Sequence, residues 1–211
     1  VKLDWLMGSR ADPQRGWNWY AQADQGGGVI GALGTHAMDM LAWLIGPLGA
    51  VQALNSVSIK QRPHPDGGLA AVDAPDVSLL QTVAHWQGRQ DLPVPAQVSL
   101  SSVSRNGRGF CLDVVGSSGS LLLSSTNQKD YVHGFELQHA PLGEPFRAVE
   151  ADADLAYPQT WSDGRIAPVV RVLGWWAESI RSGQPMLPGL AEGVASRVAC
   201  DQAAGGTLDL A

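Results

Sequence analysis

Charge is scarce in this 211-residue sequence. Asp, Glu, Lys and Arg make up 16% of it, where an ordinary soluble domain has about 25%. Acidic residues outnumber basic ones 20 to 14, for a net charge of −6. So few, scattered cations exclude the electrostatic footprint of a nucleic-acid-binding protein. Cysteine is scarcer still. Cys111 and Cys200 stand alone, outside any CxxC or Cys/His spacing, which gives a zinc site or a disulfide framework little support. Both read as free thiols behaving as small hydrophobes. His64, His85, His133 and His139 likewise show no HExxH-type spacing, so no metal is expected. Long apolar runs are also missing. The longest apolar region, Val29 to Leu48, is broken by Gly31, Gly34, Thr35, His36, Asp39 and Gly46. It falls short of the roughly 18 uninterrupted residues of a membrane span. No basic-then-apolar signal stretch opens the chain, and a cytoplasmic location is the expectation. Lysine occurs only at positions 2, 60 and 129, and no GxGxxG follows a strand-like segment.

What is present is ample core material. Hydrophobic residues make up 45% of the chain, enough for a packed domain of this length. The sequence opens on Val, and Leu3, Trp5 and Met7 alternate with Lys2, Asp4 and Leu6, the period of a half-buried strand. An opening inside a strand predicts a cut piece with a part missing upstream. Arg10 to Gln25, with Pro13 and Gly16, reads as a loop. Gly26-Gly27-Gly28 then leads into a helix expected over Val29 to Leu44. Its apolar face is Leu33, Ala37, Met40, Leu41 and Leu44, and Gly46-Pro47 stops it. From Val51 the period changes to two. Strands are expected at Val51–Ile59, Asp76–Trp86, Ala96–Arg105, Gly109–Val115, Ser120–Ser124 and Tyr131–Gln138, with a loop from Arg62 to Pro75 and turns at Asn106-Gly107 and Gly116–Gly119. Two helices close the chain. One carries the face Ile166, Val169, Val170, Leu173, Ala177 and Ile180 and ends at Ser182-Gly183. The other carries Leu190, Val194 and Val198 and ends at Gly205-Gly206. Strands in series without intervening helices predict an α+β fold: a large, mainly antiparallel open-faced sheet with helices packed on one face. One domain over 1–211 is expected. Strand Asp76–Trp86 is apolar on both alternations, so the open face is expected to pair with a second copy of the chain.

The segment with chemical potential is the first helix. Ala32, His36, Asp39 and Trp43 fall on one stripe at helical spacing. Histidine titrates near neutrality and suits proton transfer. Asp39 could orient its ring or act in its own right, and a structural histidine bonded to backbone is the alternative.

Gly26, Gly27, Gly28, Gly34, His36 and Asp39 match, in register, the pattern GGG-x-x-x-D-x-G-x-H-x-x-D. The segment thereby resembles the start of the C-terminal domain in the glucose–fructose oxidoreductase, inositol dehydrogenase and MocA family. Trp17 and Trp19 before the glycines, the strand-turn-strand at Leu112 to Leu121, and Ser179 to Pro185 followed by Glu192-Gly193 extend the resemblance over most of the chain. It implies the substrate-binding and oligomerisation half of an NAD(P)-dependent oxidoreductase acting on a sugar, polyol or related small molecule. His36 would be the acid–base or substrate-orienting residue, supported by Asp39, with Arg10, Trp17 and Trp19 as substrate contacts at the rim. The cofactor, NAD or NADP, would be bound by the missing N-terminal Rossmann domain, which is also the expected partner within the chain and carries the family's catalytic lysine in an E-K-P motif. This piece alone would hold no cofactor and be inactive. One position departs from the family: Ala32 stands where the pattern has Asp. That departure keeps a second reading open, a non-catalytic ligand-binding or structural module of the same fold.

Overall fold

The computed structural model describes residues 1–205. They divide into two compact units, Val1–Arg108 together with the segment from Glu192, and Gly109–Ala191. The fold class is α+β: each unit carries four strands in a mainly antiparallel open arrangement, and the described residues include three longer helices.

In the first unit, β1 (Lys2–Leu6), β2 (Gln52–Ser56), β5 (Val77–His85) and β6 (Pro93–Ser101) are ordered β1-β6-β5-β2. β5 pairs antiparallel with β6 and β2 antiparallel with β5, whereas β1 runs parallel to β6. Period-two alternation sorts the side chains. The row Leu3, Val98, Leu80, Ala53 lies across the four strands and is buried. One residue further along each strand, the row Lys2, Gln97, Gln81, Gln52 is exposed. Below it Asp4 is buried, with Lys2 at 3.2 Å and Arg108 in direct contact. The segment expected to be a loop, Arg62 to Pro75, instead contains a small hairpin of β3 (Gln61–Pro63) and β4 (Leu69–Ala71). Its strands are too short to register as alternation. β6 has β1 and β5 as its neighbours, so Asn106-Gly107 turns the chain out of β6 without closing a hairpin on it.

The expected helix over 29–44 is present but not uniform. A π-helical turn, Ile30–Gly34, precedes the α-helix α1 (Thr35–Leu44). The wider turn shifts the register. The buried side chains are Ile30, Leu33, Ala37, Met38 and Leu41, while Met40 is half-buried and Leu44 exposed. This corrects the apolar face expected from an unbroken 3.6-residue period. The last helix, α3 (Leu190–Gly205), corrects expectation more sharply. It buries Ser196, Ala199, Cys200 and Ala203, while the branched side chains Leu190, Val194 and Val198 are exposed. Small residues win because α3 lies close to α1: a Cβ at Gly34 would stand 3.0 Å from the Cys200 sulfur. The end of α3 also holds strand β2, through Asn55 donating to the Ala203 carbonyl at 2.9 Å and Val51 N–H donating to the Gln202 side chain at 3.0 Å. The other half of the expected stop, Gly206, lies outside the described residues.

In the second unit, β7 (Gly109–Gly116), β8 (Gly119–Ser125), β9 (Glu136–Pro141) and β10 (Arg147–Val149) form an antiparallel meander. The Gly116–Gly119 turn joins β7 and β8 as expected. β9 starts five residues later than alternation suggested, because Asp130 accepts the backbone N–H groups of Val132 and His133 and holds that stretch as a turn. Helix α2 (Ile166–Ser182) ends at Gly183 as expected, but of its residues only Ala167 is buried. Its expected apolar face is present and uncovered.

Candidate functional site

The glycine run is shaped by contact rather than by a ligand. Gly28 has φ +74°, and a Cβ there would collide with the Pro75 carbonyl oxygen, which accepts the next N–H, that of Val29, at 2.8 Å. A Cβ on Gly27 would stand 2.6 Å from each of the carbonyl oxygens of Trp19, Tyr20 and Gln22. The run is thus lined by acceptors. A dinucleotide phosphate needs converging N–H donors, and these residues do not fit one. Among the described residues no group of three His, Cys, Asp or Glu side chains could hold a metal ion.

From this run the π turn delivers His36 near the beginning of α1. Such turns recur at functional sites because they displace a side chain from the regular helical stripe. The His36 ring is exposed, 6.2 Å centroid to centroid from the buried indole of Trp5 on β1. Asp39, three residues on, is half-buried and faces α3, where its carboxylate accepts a hydrogen bond from the Ser196 hydroxyl at 3.4 Å. The structure thus ties Asp39 to helix packing and pairs His36 with an aromatic ring instead.

The rim residues separate in the same way. The Trp17 indole N–H donates to the Ala71 carbonyl at 2.8 Å, and its ring lies 5.0 Å from that of His64, so it fastens the loop to the β3–β4 hairpin. Trp19 is half exposed and makes an edge contact with Tyr20 at 5.7 Å. Arg10 lays its guanidinium over the Tyr20 ring, 4.2 Å from the centroid. Two of the sequence-derived residues therefore stand together: Arg10 and Trp19 flank Tyr20, whose backbone backs onto Gly27. Reading the sequence missed Trp5 and Tyr20. Trp5 alternates as a core residue and carries no other signal, whereas Tyr20 was visible only as the third member of an aromatic cluster.

The loop between β1 and the glycines is rigidly held. Arg62, almost fully buried, donates to the carbonyls of Arg10 at 2.6 Å and Asp12 at 2.8 Å. Arg105 donates to Ala11 and Arg15 to Ser9. Burial lowers the pKa of Arg62 from its ordinary value, with Asp76 opposing that change. Because β1 and β6 run parallel, this loop and the turn after Ser101 emerge at the same end of the sheet, as Arg10 N–H donating to the Ser102 carbonyl at 2.8 Å shows.

Comparison with known proteins agrees with this architecture. The family model described as "Oxidoreductase family, C-terminal alpha/beta domain" matches residues 1–204. An uncharacterized oxidoreductase of Synechocystis sp. is 44% identical over 204 residues, which are 95% of this chain and 53% of that protein. Among solved structures, an NAD binding oxidoreductase from Klebsiella pneumoniae superposes with a TM-score of 0.76 at 17% identity, covering 97% of this chain and 55% of that one. A levoglucosan dehydrogenase in complex with NADH and L-sorbose superposes with a TM-score of 0.74 at 22% identity, covering 98% and 57%. The chain spans about half the length of these relatives.

Proposed function

This chain belongs to the glucose–fructose oxidoreductase, inositol dehydrogenase and MocA family of oxidoreductases through its C-terminal alpha/beta domain, and on that premise we propose that residues 1–211 form the substrate-binding and oligomerisation domain of a NAD(P)-dependent dehydrogenase. The reaction is hydride transfer between the nicotinamide and a carbinol carbon of a sugar, polyol or related small molecule. The observation that carries this reading is His36, exposed beyond the glycine run and the π turn. A polar group on the apolar margin of a helix, freed from the helical stripe and backed by an aromatic ring, is placed to meet a ligand. The relatives named as oxidoreductases and the solved complex with NADH and a sugar support the same class. The dinucleotide belongs to a Rossmann domain outside these residues, since the glycine run here offers carbonyls and not donors.

A second reading is favoured by one residue. Ala32 stands where the family pattern carries Asp, so His36 lacks a carboxylate one turn before it, and Asp39 is engaged by Ser196. A binding module that has given up turnover fits that loss. The deciding experiment uses the full-length protein with NAD+ or NADP+ and a panel of sugars and polyols. His36→Ala is expected to lower kcat by about 10²–10⁴, the range for a positioned acid–base group. Ala32→Asp is expected to raise kcat on a polyol. Absence of turnover by both the native protein and Ala32→Asp would establish the binding module instead.

A further inference from the structure

The four arginines around the β1–glycine loop are not equivalent. Arg62, Arg105 and Arg15 each donate to backbone carbonyls. Arg10 does not: among the described residues its side chain makes no hydrogen bond or ion pair and lies on the face of Tyr20. It is half-buried, and none of the charges acting on it is a carboxylate. Burial, with Arg15 and Arg62 adding repulsion, pulls its pKa down from the ordinary value. An unpaired, partly desolvated cation costs free energy, and this chain has more acidic than basic residues with which to pair one. Stacking on Tyr20 occupies one face of the guanidinium and leaves its N–H edge directed elsewhere, as a fork with fixed orientation. Beside it, the buried Ser102 hydroxyl hydrogen-bonds the Tyr20 phenol and backs the ring. Burial also pushes the Tyr20 phenol above its ordinary pKa, with the Ser102 hydroxyl and the Arg10 charge opposing. The phenol is therefore a neutral donor at physiological pH.

We propose that Arg10, stacked on Tyr20, is a carboxylate-binding subsite, and that the substrate of this domain is an acidic sugar or polyol derivative such as an aldonate or uronate. The inference rests on the reading of this segment as the substrate side of a sugar or polyol dehydrogenase. A guanidinium edge matches the two oxygens of a carboxylate bidentately, and the neutral Tyr20 phenol beside it adds one hydroxyl donor. A phosphate dianion would call for the nest of backbone N–H groups that the glycine run lacks. Position agrees: Arg10 follows β1, whose Trp5 stands against His36, so the anion receptor and the exposed histidine belong to the same end of the same strand.

The test is calorimetric titration of the full-length protein, loaded with NADH, with D-glucuronate and with D-glucose. Glucuronate is expected to bind more tightly, with a preference that weakens as salt rises. In Arg10→Gln the ratio of the two affinities is expected to fall ten- to a hundredfold. Arg10→Lys, which keeps the charge and loses the fork, should lie between. Both variants are checked for native melting, and Arg10→Lys decides if Arg10→Gln does not fold. No preference for glucuronate in the native protein, or a preference unchanged by either variant, overturns the proposal. So does weakened NADH binding with the sugar ratio intact, which would assign Arg10 to the cofactor. Turnover is scored separately: a glucuronate preference without turnover of any sugar leaves the subsite standing and removes the dehydrogenase reading.

Discussion

At the scale of single residues, Asp4 and His36 show how differently two polar groups can be used. Burial pushes the Asp4 carboxyl up, but Lys2, Ser99 and Arg108 together outweigh it and hold the pKa below its ordinary value. A depressed folded-state pKa means that Asp4 contributes stability above about pH 4, the unfolded value, and that the contribution drains away as pH falls through the folded value. Asp4→Asn is therefore expected to destabilise at neutral pH by about 1–3 kcal/mol and to flatten the acid limb of the stability curve. Urea titrations between pH 2.5 and 7 check both, and a parallel shift at all pH values would show that packing, not charge, matters there. His36 contrasts with it. Being exposed, it tolerates truncation within about 1 kcal/mol, so His36→Ala should melt within a few degrees of the native chain. A drop of more than ten degrees would make it a structural histidine. The sequence showed His36 through its motif, and it showed the alternation that buries Leu3. It could not show that Asp39 turns to Ser196 or that Arg10 stacks on Tyr20, because those partners come from segments whose spacing carries no period.

At the scale of elements, close approach of α1 and α3 explains a helix that hydropathy misread. The sequence offers α3 two faces, one of branched residues (Leu190, Val194, Val198) and one of small ones (Ser196, Ala199, Cys200, Ala203). Periodicity favours the first, and the structure buries the second, because the π turn leading into α1 ends on a glycine, Gly34, at the contact. The consequence is measurable. Gly34→Ala gains up to about 1 kcal/mol of helix propensity but places its methyl 3.0 Å from the Cys200 sulfur, and overpacking of this kind costs about 1–3 kcal/mol. Net destabilisation is expected for Gly34→Ala, and recovery for Gly34→Ala combined with Cys200→Ala. Additive effects in that double-mutant cycle would show that the helices do not meet there. Burial also lifts the Cys200 thiol to about 11, so it should resist alkylation at pH 8 until the chain unfolds. Elements shorter than four residues, the β3–β4 hairpin and β10, fell below what alternation can reveal, while the long strands β5 and β6 were plain.

At the scale of the whole molecule, the open face of the first unit bears on assembly. The sequence predicted it to be apolar and therefore sticky. The structure gives it a row of three glutamines and a lysine with Leu79 and Val83 partly exposed beside them, and a shallow depression of about 600 Å³ lined by Val1, Gln52, Gln81, Val83, Pro95 and Gln97. Amides pair with amides as readily as they meet water, and the face carries little charge to repel a copy of itself. The chain is expected to dimerise by a two-fold axis through this surface. Light scattering at tens of micromolar should give twice the chain mass, and Gln81→Glu, which sets like charges against each other in a symmetric contact, should return the monomer. A monomeric native chain would point to another cover for that face.

The parallel pairing of β1 with β6 places a clock inside the molecule. β5 and β6 are joined through residues 86–92 and can zip together as a local event, whereas Lys2 must find Gln97 across the whole intervening chain. Closing so long a loop is entropically slow, so the strand that comes first in the sequence is the last to be seated. In stopped-flow measurements on the 211-residue chain, Leu3→Ala should quicken unfolding and leave the folding rate within about twofold, the signature of contacts made after the transition state. Leu80→Ala in β5 should instead slow folding. If Leu3→Ala slowed folding as much as Leu80→Ala does, β1 would be part of the nucleus and the order of events would be the reverse.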